Sequence, residues 1–216
     1  MVNRFIGVRP VVNTIVFDVD GVLLDSMRCY RKAWSSWGEV HGIGIDRIWA
    51  LAPGRRPTDI ISMLGLQLRL STELPLFVEL LNEALLAVKP MPGAADLLAA
   101  LPPTWAVATS GLREQLHVAF QAAGLPLPAV TVTSEDVVAG KPAPDCYLIA
   151  ARRLRVAVSH CVVVEDAPAG IIAARKAGMT CVAIATTHAL SELNGADHVF
   201  PSLEAATDWL IALGRG

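Results

Sequence analysis

Residues 14–26 read TIVFDVDGVLLDS, an apolar run that ends in two aspartates and a glycine. The β-branched residues of this run predict a buried strand over residues 11–17. Asp18 and Asp20 alternate along an extended chain, so their side chains can point into one site. A strand that ends in an Asp-Gly turn is the simple interpretation, and a catalytic pair of carboxylates is the other. The rest of the chain has to decide between them.

The chain that follows this stretch changes to helical periodicity. Ser26 can cap a first helix, on which Tyr30, Trp34 and Trp37 share one face. We interpret these aromatic residues as packing within the helical region rather than as substrate contacts. The pattern stays helical up to the sequence KPMPG, where proline and glycine interrupt it. Residues 27–91 are therefore predicted to form a small all-helical domain.

Helix and strand patterns alternate along the remainder of the chain. The predicted strands WAVATS, AVTVT, HCVVVED and TCVAIATT are separated by helical stretches. Such alternation is typical of a parallel sheet with helices on both faces. We therefore predict an α/β fold in which residues 1–26 and 92–216 form a Rossmann-like parallel sheet core. The helical domain, residues 27–91, is inserted after the first strand.

The composition of the 216-residue chain excludes several classes of protein. Hydrophobic residues make up 53% of it, which excludes global disorder, and the net charge is −2. No basic surplus points to nucleic acid or to a membrane surface, and no apolar run approaches the ~18 residues that span a membrane. The four cysteines lack CxxC spacing, and the first ten residues lack the apolar segment of a signal peptide. We expect a cytoplasmic protein, a monomer or a weak homodimer, that binds a small molecule.

Three predicted strands end in polar residues, and open parallel sheets bind ligands beyond the carboxyl ends of their strands. The strand ends carry Asp18 and Asp20, then Thr109, Ser110 and Gly111, then Glu165 and Asp166, while Lys141 lies in GKPAP between the last two groups. Each feature has a simple explanation by itself, as a turn, a helix cap or a surface lysine. Their order, with each at a strand end or in a loop, favours one shared site instead.

These residue types fit a site for a metal ion and a phosphate. Carboxylates packed this closely repel one another or bind protons, and a Mg²⁺ ion with oxygen ligands relieves the repulsion. The hydroxyl of Thr109 and the ammonium of Lys141 are donors that a phosphoryl group needs. Asp18, Glu165 and Asp166 carry three negative charges. Mg²⁺ and Lys141 balance these charges, provided that Asp20 is protonated.

The same stretches resemble the four motifs of the haloacid dehalogenase-like superfamily of phosphatases. FDVDGVLLDS is similar to the first motif, VATSG to the second, GKPAPDCY to the third and VVVEDAPAGIIAARKAG to the fourth. The resemblance covers nearly the whole chain, including a helical cap inserted after the first strand. It implies a phosphoric monoester hydrolase that uses Mg²⁺ and a small phosphorylated substrate.

The resemblance also implies a role for each matched residue. Asp18 would be the nucleophile that forms an aspartyl-phosphate, and Asp20 would protonate the leaving oxygen and then activate water. Thr109 and Lys141 would bind phosphoryl oxygens. Ser110 and Gly111 would add phosphate contacts around them. The implied Mg²⁺ ligands are Asp18, the backbone carbonyl of Asp20, Asp166, and Glu165 either directly or through water.

Closer similarity points to the branch that contains glycerol-3-phosphate and 2-deoxyglucose-6-phosphate phosphatases. A small polyol or sugar phosphate is therefore the expected substrate. In the cap, APGRRPTDII resembles a segment of that branch, with Pro53 in place of its histidine. Arg55 and Arg56 in this segment are candidate substrate contacts, and a solvated charge pair is the other interpretation.

Several alternatives stay open at this point. The chain could be a sugar phosphomutase, a phosphoglycolate or nucleotide phosphatase, or a catalytically silent binding protein of the same superfamily. The mutases carry a histidine where this chain has Tyr30, which favours hydrolysis. The five histidines have no metal-ligand spacing, and we interpret them as surface or capping groups.

Overall fold

The structure, a computed structural model, describes residues 14–52, 55–65 and 68–215. Pro53 and positions 11–13 of the first predicted strand lie outside these ranges. In chain order the described elements are β1 (Thr14–Phe17), β2 (Leu24–Asp25), α1 (Met27–His41), α2 (Ile45–Trp49), α3 (Pro57–Met63), α4 (Leu70–Leu85), β3 (Lys89–Pro90), α5 (Ala94–Ala100), β4 (Ala106–Ala108), α6 (Arg113–Ala123), β5 (Val130–Val132), α7 (Asp145–Leu154), β6 (Cys161–Glu165), α8 (Pro168–Lys176), β7 (Thr180–Ile184), β8 (His198–Phe200) and α9 (Leu203–Arg215).

Six strands form a parallel sheet in the order β5-β4-β1-β6-β7-β8. In this sheet β1 pairs with β4 on one side and with β6 on the other, so that Val16 lies opposite both Ala106 and Val163. β1 and β6 are buried along their whole length, as expected for strands covered on both faces. The predicted α/β fold is therefore confirmed. The chain places β4 and β5 on one side of β1 and the later strands on the other, and ligands bind at such a switch point.

Helices cover both faces of the sheet with side chains of different size. On one face large groups dominate, and Phe17 meets Trp105 edge-on with 5.9 Å between ring centroids. On the other face, α7 and α8 contribute mainly small side chains, including Ala150 and Ala173. The two hydrophobic layers hold the strand ends in fixed positions, which a site at the sheet edge requires.

Two further properties of the chain can be compared with the sequence predictions. Cys29, Cys146, Cys161 and Cys181 are free and buried, which agrees with their lack of CxxC spacing. Within the described ranges, no helix combines the length and the apolar character needed to cross a membrane.

The helices α1–α4 form a separate layer between β2 and β3, which we call the helical segment. Its interior is aromatic: Trp34 stacks on Phe77 with 3.9 Å between ring centroids, and Trp37 meets Trp34 edge-on at 5.5 Å. Both tryptophans are buried and pack within this interior, as predicted, although Trp34 also borders the cavity described below. His41 lies in the same interior, with its Nε2 2.7 Å from Oε2 of buried Glu73. The interpretation of the histidines as surface or capping groups is wrong for this one.

The chain enters the helical segment through β2 and leaves it through β3, and these two strands pair with each other. β2 and β3 form a short antiparallel ladder, with Leu24 opposite Pro90 and Asp25 opposite Lys89. Each strand has two residues, so the sequence carries no periodic signal for them. The ladder holds both ends of the helical segment close to the carboxyl end of β1.

Candidate active site

Lys141 lies between two carboxylates at the carboxyl edge of the sheet. Its Nζ donates hydrogen bonds to Asp18 Oδ1, to Glu165 Oε1 at 2.6 Å and to the carbonyl oxygen of Ala108 at 3.3 Å. Asp18 follows β1 directly, and its N–H donates to the carbonyl oxygen of Val164 at 2.9 Å. Burial acts to lower the pKa of Lys141, but the two carboxylates outweigh it and hold this pKa well above its usual value. The ammonium therefore stays charged inside the protein.

Glu165 has hydrogen-bond donors on both of its carboxylate oxygens. Oε1 accepts hydrogen bonds from Lys141 and from the hydroxyl of Tyr147 at 2.8 Å. Oε2 accepts the backbone N–H groups of Asp166 at 2.9 Å and Ala167 at 3.0 Å. A carboxylate held by four donors has a fixed orientation. Glu165 is thus placed to hold Lys141 beside the end of β1.

Asp166 is buried and is held by the loop that follows β7. Thr187 Oγ1 donates to Asp166 Oδ2 at 2.5 Å, and His188 Nδ1 lies 3.0 Å from the carbonyl oxygen of Asp166. Gly21, with a φ of +81°, passes so close that a Cβ there would lie 2.1 Å from Oδ2. His188, which is partly exposed, thus lies beside the backbone of Asp166.

Asp20 has different surroundings from Asp18, although both follow β1. Ser26 Oγ donates to Asp20 Oδ1 at 2.5 Å, and Thr109 Oγ1 donates to Oδ2 at 3.3 Å. Ser26 occupies the N-cap position of α1, but its side chain does not cap the helix. Burial raises the pKa of the Asp20 carboxyl, although these hydrogen bonds act to lower it. Burial thus shifts this carboxyl towards the protonated form, on which the charge balance of a site with bound Mg²⁺ depends.

The phosphate-binding residues predicted at the end of β4 lie beside Asp20. Ser110 and Gly111 line the cavity above the sheet edge, and the N–H of Gly111 donates to Thr109 Oγ1 at 2.9 Å. Tyr30 of α1 approaches the same turn, since a Cβ on Gly111 would lie 3.1 Å from its hydroxyl oxygen. The structure therefore brings the end of β4, the Asp20 carboxyl and one side chain of the helical segment together.

Asp18, Glu165 and Asp166 form a buried cluster that fits a divalent cation. One oxygen atom of each lies within 4.8 Å of the others. Burial raises the pKa of Asp18 to about 7 and that of Asp166 well above its usual range, and repulsion within the cluster adds to both shifts. A hard cation such as Mg²⁺ would favour the ionised carboxylates and prefers oxygen ligands. The Asp20 carboxyl faces Ser26 and Thr109 instead, so only its backbone carbonyl is left as the predicted ligand.

A cavity of about 60 Å³ lies between the sheet edge and the helical segment. One water molecule needs about 10–15 Å³ on this scale, so the cavity suits a small ligand. The sheet side of the cavity consists of Asp18, Asp20, Ser110, Gly111, Glu165, Asp166, Ala167 and Thr187. The helical side consists of Met27, Tyr30, Trp34, Trp49, Ala52, Arg55, Pro57 and Ile60. The first wall is mostly polar and the second is mostly aromatic and apolar. Tyr30, which the sequence analysis interpreted as a packing residue, therefore borders the cavity as well.

The two candidate arginines of the helical segment point to different places. Arg55 lines the cavity, and its Nη1 donates to the carbonyl oxygen of Leu51 at 2.8 Å. Arg56 instead forms an ion pair with Asp59 and reaches the backbone of Val138 in the core. The position of Arg55 agrees with a substrate contact, whereas the structure does not place Arg56 on the cavity wall.

Several residues that the sequence analysis did not assign to the chemistry complete the site. Ser26, Tyr147 and Thr187 bind the carboxylates directly. Gly170 of α8 lies against Glu165, where a Cβ would be 1.6 Å from Oε1. Ser26, Tyr147 and Gly170 lie within the quoted motifs, and Thr187 is the last residue of the predicted strand TCVAIATT, so these positions were the available signal. Their contacts depend on tertiary packing, which no spacing rule expresses.

The parallel sheet and the polar groups at its edge define an α/β enzyme of the phosphatase type. Residues 12–178 match the haloacid dehalogenase-like hydrolase family, and the chain belongs to this family. Hexitol phosphatase A from Escherichia coli strain K12 is 35% identical over 89% of this chain and 92% of its own length. Glycerol-1-phosphate phosphohydrolase 2 from Saccharomyces cerevisiae is 33% identical over 84% of this chain and 78% of its own length.

A solved structure supports the same assignment. The crystal structure of a hydrolase from Pseudomonas syringae superposes with a TM-score of 0.79 and 26% identity, over 92% of this chain and 97% of that one. The expected class of enzyme, a phosphoric monoester hydrolase, is confirmed by these similarities.

Proposed function

We propose that this chain is a Mg²⁺-dependent phosphomonoesterase that hydrolyses a small polyol or sugar phosphate through an aspartyl-phosphate. The observation that carries the proposal is the difference between the two aspartates after β1. Asp18 belongs to the acidic cluster and binds the Lys141 ammonium, whereas the Asp20 carboxyl lies outside the cluster and is held by two hydroxyl groups. The names of two relatives, a hexitol phosphatase and a glycerol-1-phosphate phosphohydrolase, support a polyol phosphate as substrate.

Asp18 is the proposed nucleophile. One of its carboxylate oxygens attacks the phosphorus atom, the bond between phosphorus and the leaving oxygen breaks, and the phosphoryl group is transferred to Asp18. Lys141, fixed by Glu165, supplies positive charge next to the phosphoryl oxygens, and such preorganised charge dominates the catalysis of phosphoryl transfer. Mg²⁺ bound by Asp18, Asp166 and the backbone carbonyl of Asp20 would neutralise further negative charge there.

Asp20 is the proposed acid and then the base of the reaction. It gives its proton to the leaving oxygen, which departs as an alcohol. The resulting carboxylate takes a proton from the water that attacks the aspartyl-phosphate, which releases inorganic phosphate and regenerates Asp18. The hydroxyls of Ser26 and Thr109 orient the carboxyl group in both steps. Burial favours the protonated form with which the cycle begins.

Residues 27–91 are proposed to act as a cap over the core formed by 1–26 and 92–216. The short ladder of β2 and β3 places the two ends of the helical segment side by side, where a rotation of this segment would open the cavity. Closure brings Tyr30 and Arg55 over the leaving group and excludes bulk water from phosphoryl transfer. The small cavity and these two polar groups suit a short hydroxylated leaving group.

Replacement of the nucleophile tests the reaction. We expect Asp18→Asn to lower kcat for p-nitrophenyl phosphate by at least about 10³-fold, because the amide cannot attack phosphorus. Circular dichroism serves as the control that the variant is folded. A variant with wild-type turnover would disprove the mechanism.

Removal of the metal and a panel of phosphate esters test the cofactor and the substrate class. A chelator should abolish phosphate release, and Mg²⁺ should restore it. Glycerol phosphates, hexitol phosphates, hexose phosphates, phosphoglycolate and nucleotides are then compared by kcat/KM. A mutase would isomerise its substrate and release little phosphate, and a silent binding protein would hydrolyse none of the panel.

A further inference from the structure

We propose that Arg56 is a positioning residue that fastens the closed helical segment to the core loop that delivers Lys141. We call residues 137–140, which directly precede this lysine, the Lys141 loop. Loss of such a contact would slow the reaction of every substrate to a similar extent. It would not change the preference of the enzyme among substrates. The kinetic part of the inference rests on the proposed phosphatase function, whereas its structural part can be tested without any substrate.

The guanidinium of Arg56 is held in a fixed orientation before it contacts the core. Its Nε and Nη2 donate to the two carboxylate oxygens of Asp59 at 2.7 and 2.8 Å. Two parallel bonds to one carboxylate set the plane of the guanidinium. Arg56 also immediately precedes α3, which begins at Pro57, so its backbone is restricted as well. The group therefore loses little conformational freedom when it meets the Lys141 loop.

The free edge of the same guanidinium lies against the Lys141 loop. Arg56 Nη1 donates to the carbonyl oxygen of Val138 at 3.2 Å. The contact extends along the loop, because a Cβ on Gly140 would lie 3.0 Å from Arg56 Nε and 3.3 Å from its Cδ. A side chain at position 140 would thus push the guanidinium away. Val138 itself is 93% exposed, so the arginine binds the backbone of this loop and not an apolar side chain.

The position of the Lys141 loop matters because Lys141 follows it directly and is bound by two carboxylates. Its Nζ binds both Asp18 and Glu165, and a displacement of the loop would shift it relative to the nucleophile. Misplacement of a catalytic group by a small distance can cost a large factor in rate. Arg56 and Val138 belong to the helical segment and the core respectively, so their bond forms when the segment is closed. Closure and the placement of Lys141 are coupled in this way.

The adjacent arginine provides a matched control. Arg55 has the same charge and lies one residue earlier, but it lines the cavity and donates to Leu51 within the helical segment. Its loss should alter contacts with the leaving group and leave the Lys141 loop unchanged. A second polar contact between the segment and the core, from Gln115 Nε2 to Asn82 Oδ1 at 2.8 Å, involves α6 rather than this loop. Arg56 can therefore be tested separately.

The first experiment is hydrogen exchange of the full chain with Mg²⁺, followed by mass spectrometry. The reporter amide is that of Ala143, whose N–H donates to the carbonyl oxygen of Gly140 in the Lys141 loop at 3.0 Å. In Arg56→Ala we expect this amide to exchange about three- to tenfold faster, because a loop that has lost one hydrogen bond to its backbone opens more often. Exchange in β7 should stay unchanged, and Arg55→Ala should leave the reporter amide at the wild-type rate. Arg56→Lys should rescue little, since an ammonium cannot bind Asp59 and Val138 with the same fork. Unchanged exchange of the reporter amide in Arg56→Ala, or equal acceleration in Arg55→Ala, would overturn the inference.

The second experiment compares kcat/KM for p-nitrophenyl phosphate, a glycerol phosphate and a hexitol phosphate. Arg56→Ala should lower all three values by a similar factor, about three- to tenfold, mainly through kcat. Arg55→Ala should instead change the ratios among the three esters. Arg56→Ala with a loss confined to one ester would contradict the inference and make Arg56 a substrate contact. If the wild-type chain hydrolyses no phosphate ester, the proposed function fails, while the exchange result still decides the role of Arg56.

Discussion

The two walls of the cavity are built in different ways, although they face the same small volume. The sheet wall carries carboxylates, hydroxyls and backbone groups at the ends of buried strands, next to Lys141. The helical wall consists mainly of aromatic and apolar side chains, with the hydroxyl of Tyr30 and the charge of Arg55 among them. Groups that transfer a phosphoryl need fixed positions, which strands packed on both faces provide. We therefore propose that the sheet wall carries the chemistry and that the helical wall selects the leaving group.

The polar groups of the two walls also differ in the number of hydrogen bonds that hold them. On the sheet wall, Glu165 is held by four hydrogen bonds, and Asp166 is held by Thr187. On the helical wall, Arg55 is exposed and binds only a neighbouring carbonyl oxygen in its own segment among the contacts described. A substitution on the sheet wall should therefore affect all substrates, and one on the helical wall should affect them unequally.

After replacement of the nucleophile, loss of the buried lysine should have the largest effect. In Lys141→Met the phosphoryl oxygens lose a charged donor, so we expect kcat for p-nitrophenyl phosphate to fall by about 10²–10³-fold. The fold should also lose stability, since Asp18 and Glu165 stay buried without their cation. Thermal unfolding with and without Mg²⁺ separates the two effects. A fall for one substrate only would contradict the assignment of chemistry to the sheet wall.

Loss of one hydroxyl from the helical wall should have a smaller and selective effect. Tyr30 lies over the turn at Gly111, and burial, Asp20 and Asp18 raise the pKa of its phenol well above its usual value. The phenol thus stays protonated, and we propose that it donates to a hydroxyl of the substrate. We expect Tyr30→Phe to lower kcat/KM for a glycerol phosphate by about 10–100-fold. Turnover of p-nitrophenyl phosphate, which has no such hydroxyl, is the internal control, and an equal loss for both esters would refute the selective role.

The sequence predicts the sheet wall well because its residues follow strands. Strand periodicity locates the ends of β1, β4 and β6, and parallel packing then brings Asp18, Thr109 and Glu165 to one edge. The helical wall obeys no comparable rule. Arg55 and Arg56 are adjacent and chemically identical, and only the tertiary packing of the segment before α3 separates their directions.

The sequence also does not predict hydrogen bonds between side chains that lie far apart along the chain. Ser26 matches a helix cap by position, yet its hydroxyl binds Asp20. Tyr147 and Thr187 reach Glu165 and Asp166 from other elements. Local rules identify a residue that can donate a hydrogen bond, but the fold decides which acceptor is in reach.

The smallest expected effect concerns the contribution of ion pairs to the stability of the core and of the helical segment. Behind the sheet wall, Asp136 accepts hydrogen bonds from Arg113 and Arg153 at 2.6 Å each and from the N–H of Thr133 at 2.9 Å. In the helical segment, Arg31 lies 3.4 Å from Asp46, whose side chain is 94% exposed. Asp136→Asn should lower the free energy of unfolding by about 1 kcal/mol at pH 6. The matched variant Asp46→Asn should change it by less than about 0.5 kcal/mol.

The pH dependence of this difference gives the sharper test. Burial acts to raise the pKa of Asp136, but hydrogen bonds from Arg153, Thr133 and Arg113 outweigh it and hold the pKa well below its usual 3.8. A carboxylate with a lowered folded pKa stabilises the protein above its unfolded pKa and loses this contribution as the pH falls towards the folded value. In urea unfolding, the gap between wild type and Asp136→Asn should therefore be constant above about pH 5 and shrink below about pH 4. If the difference in the free energy of unfolding instead grows on acidification, the charge of Asp136 does not stabilise the fold through this network.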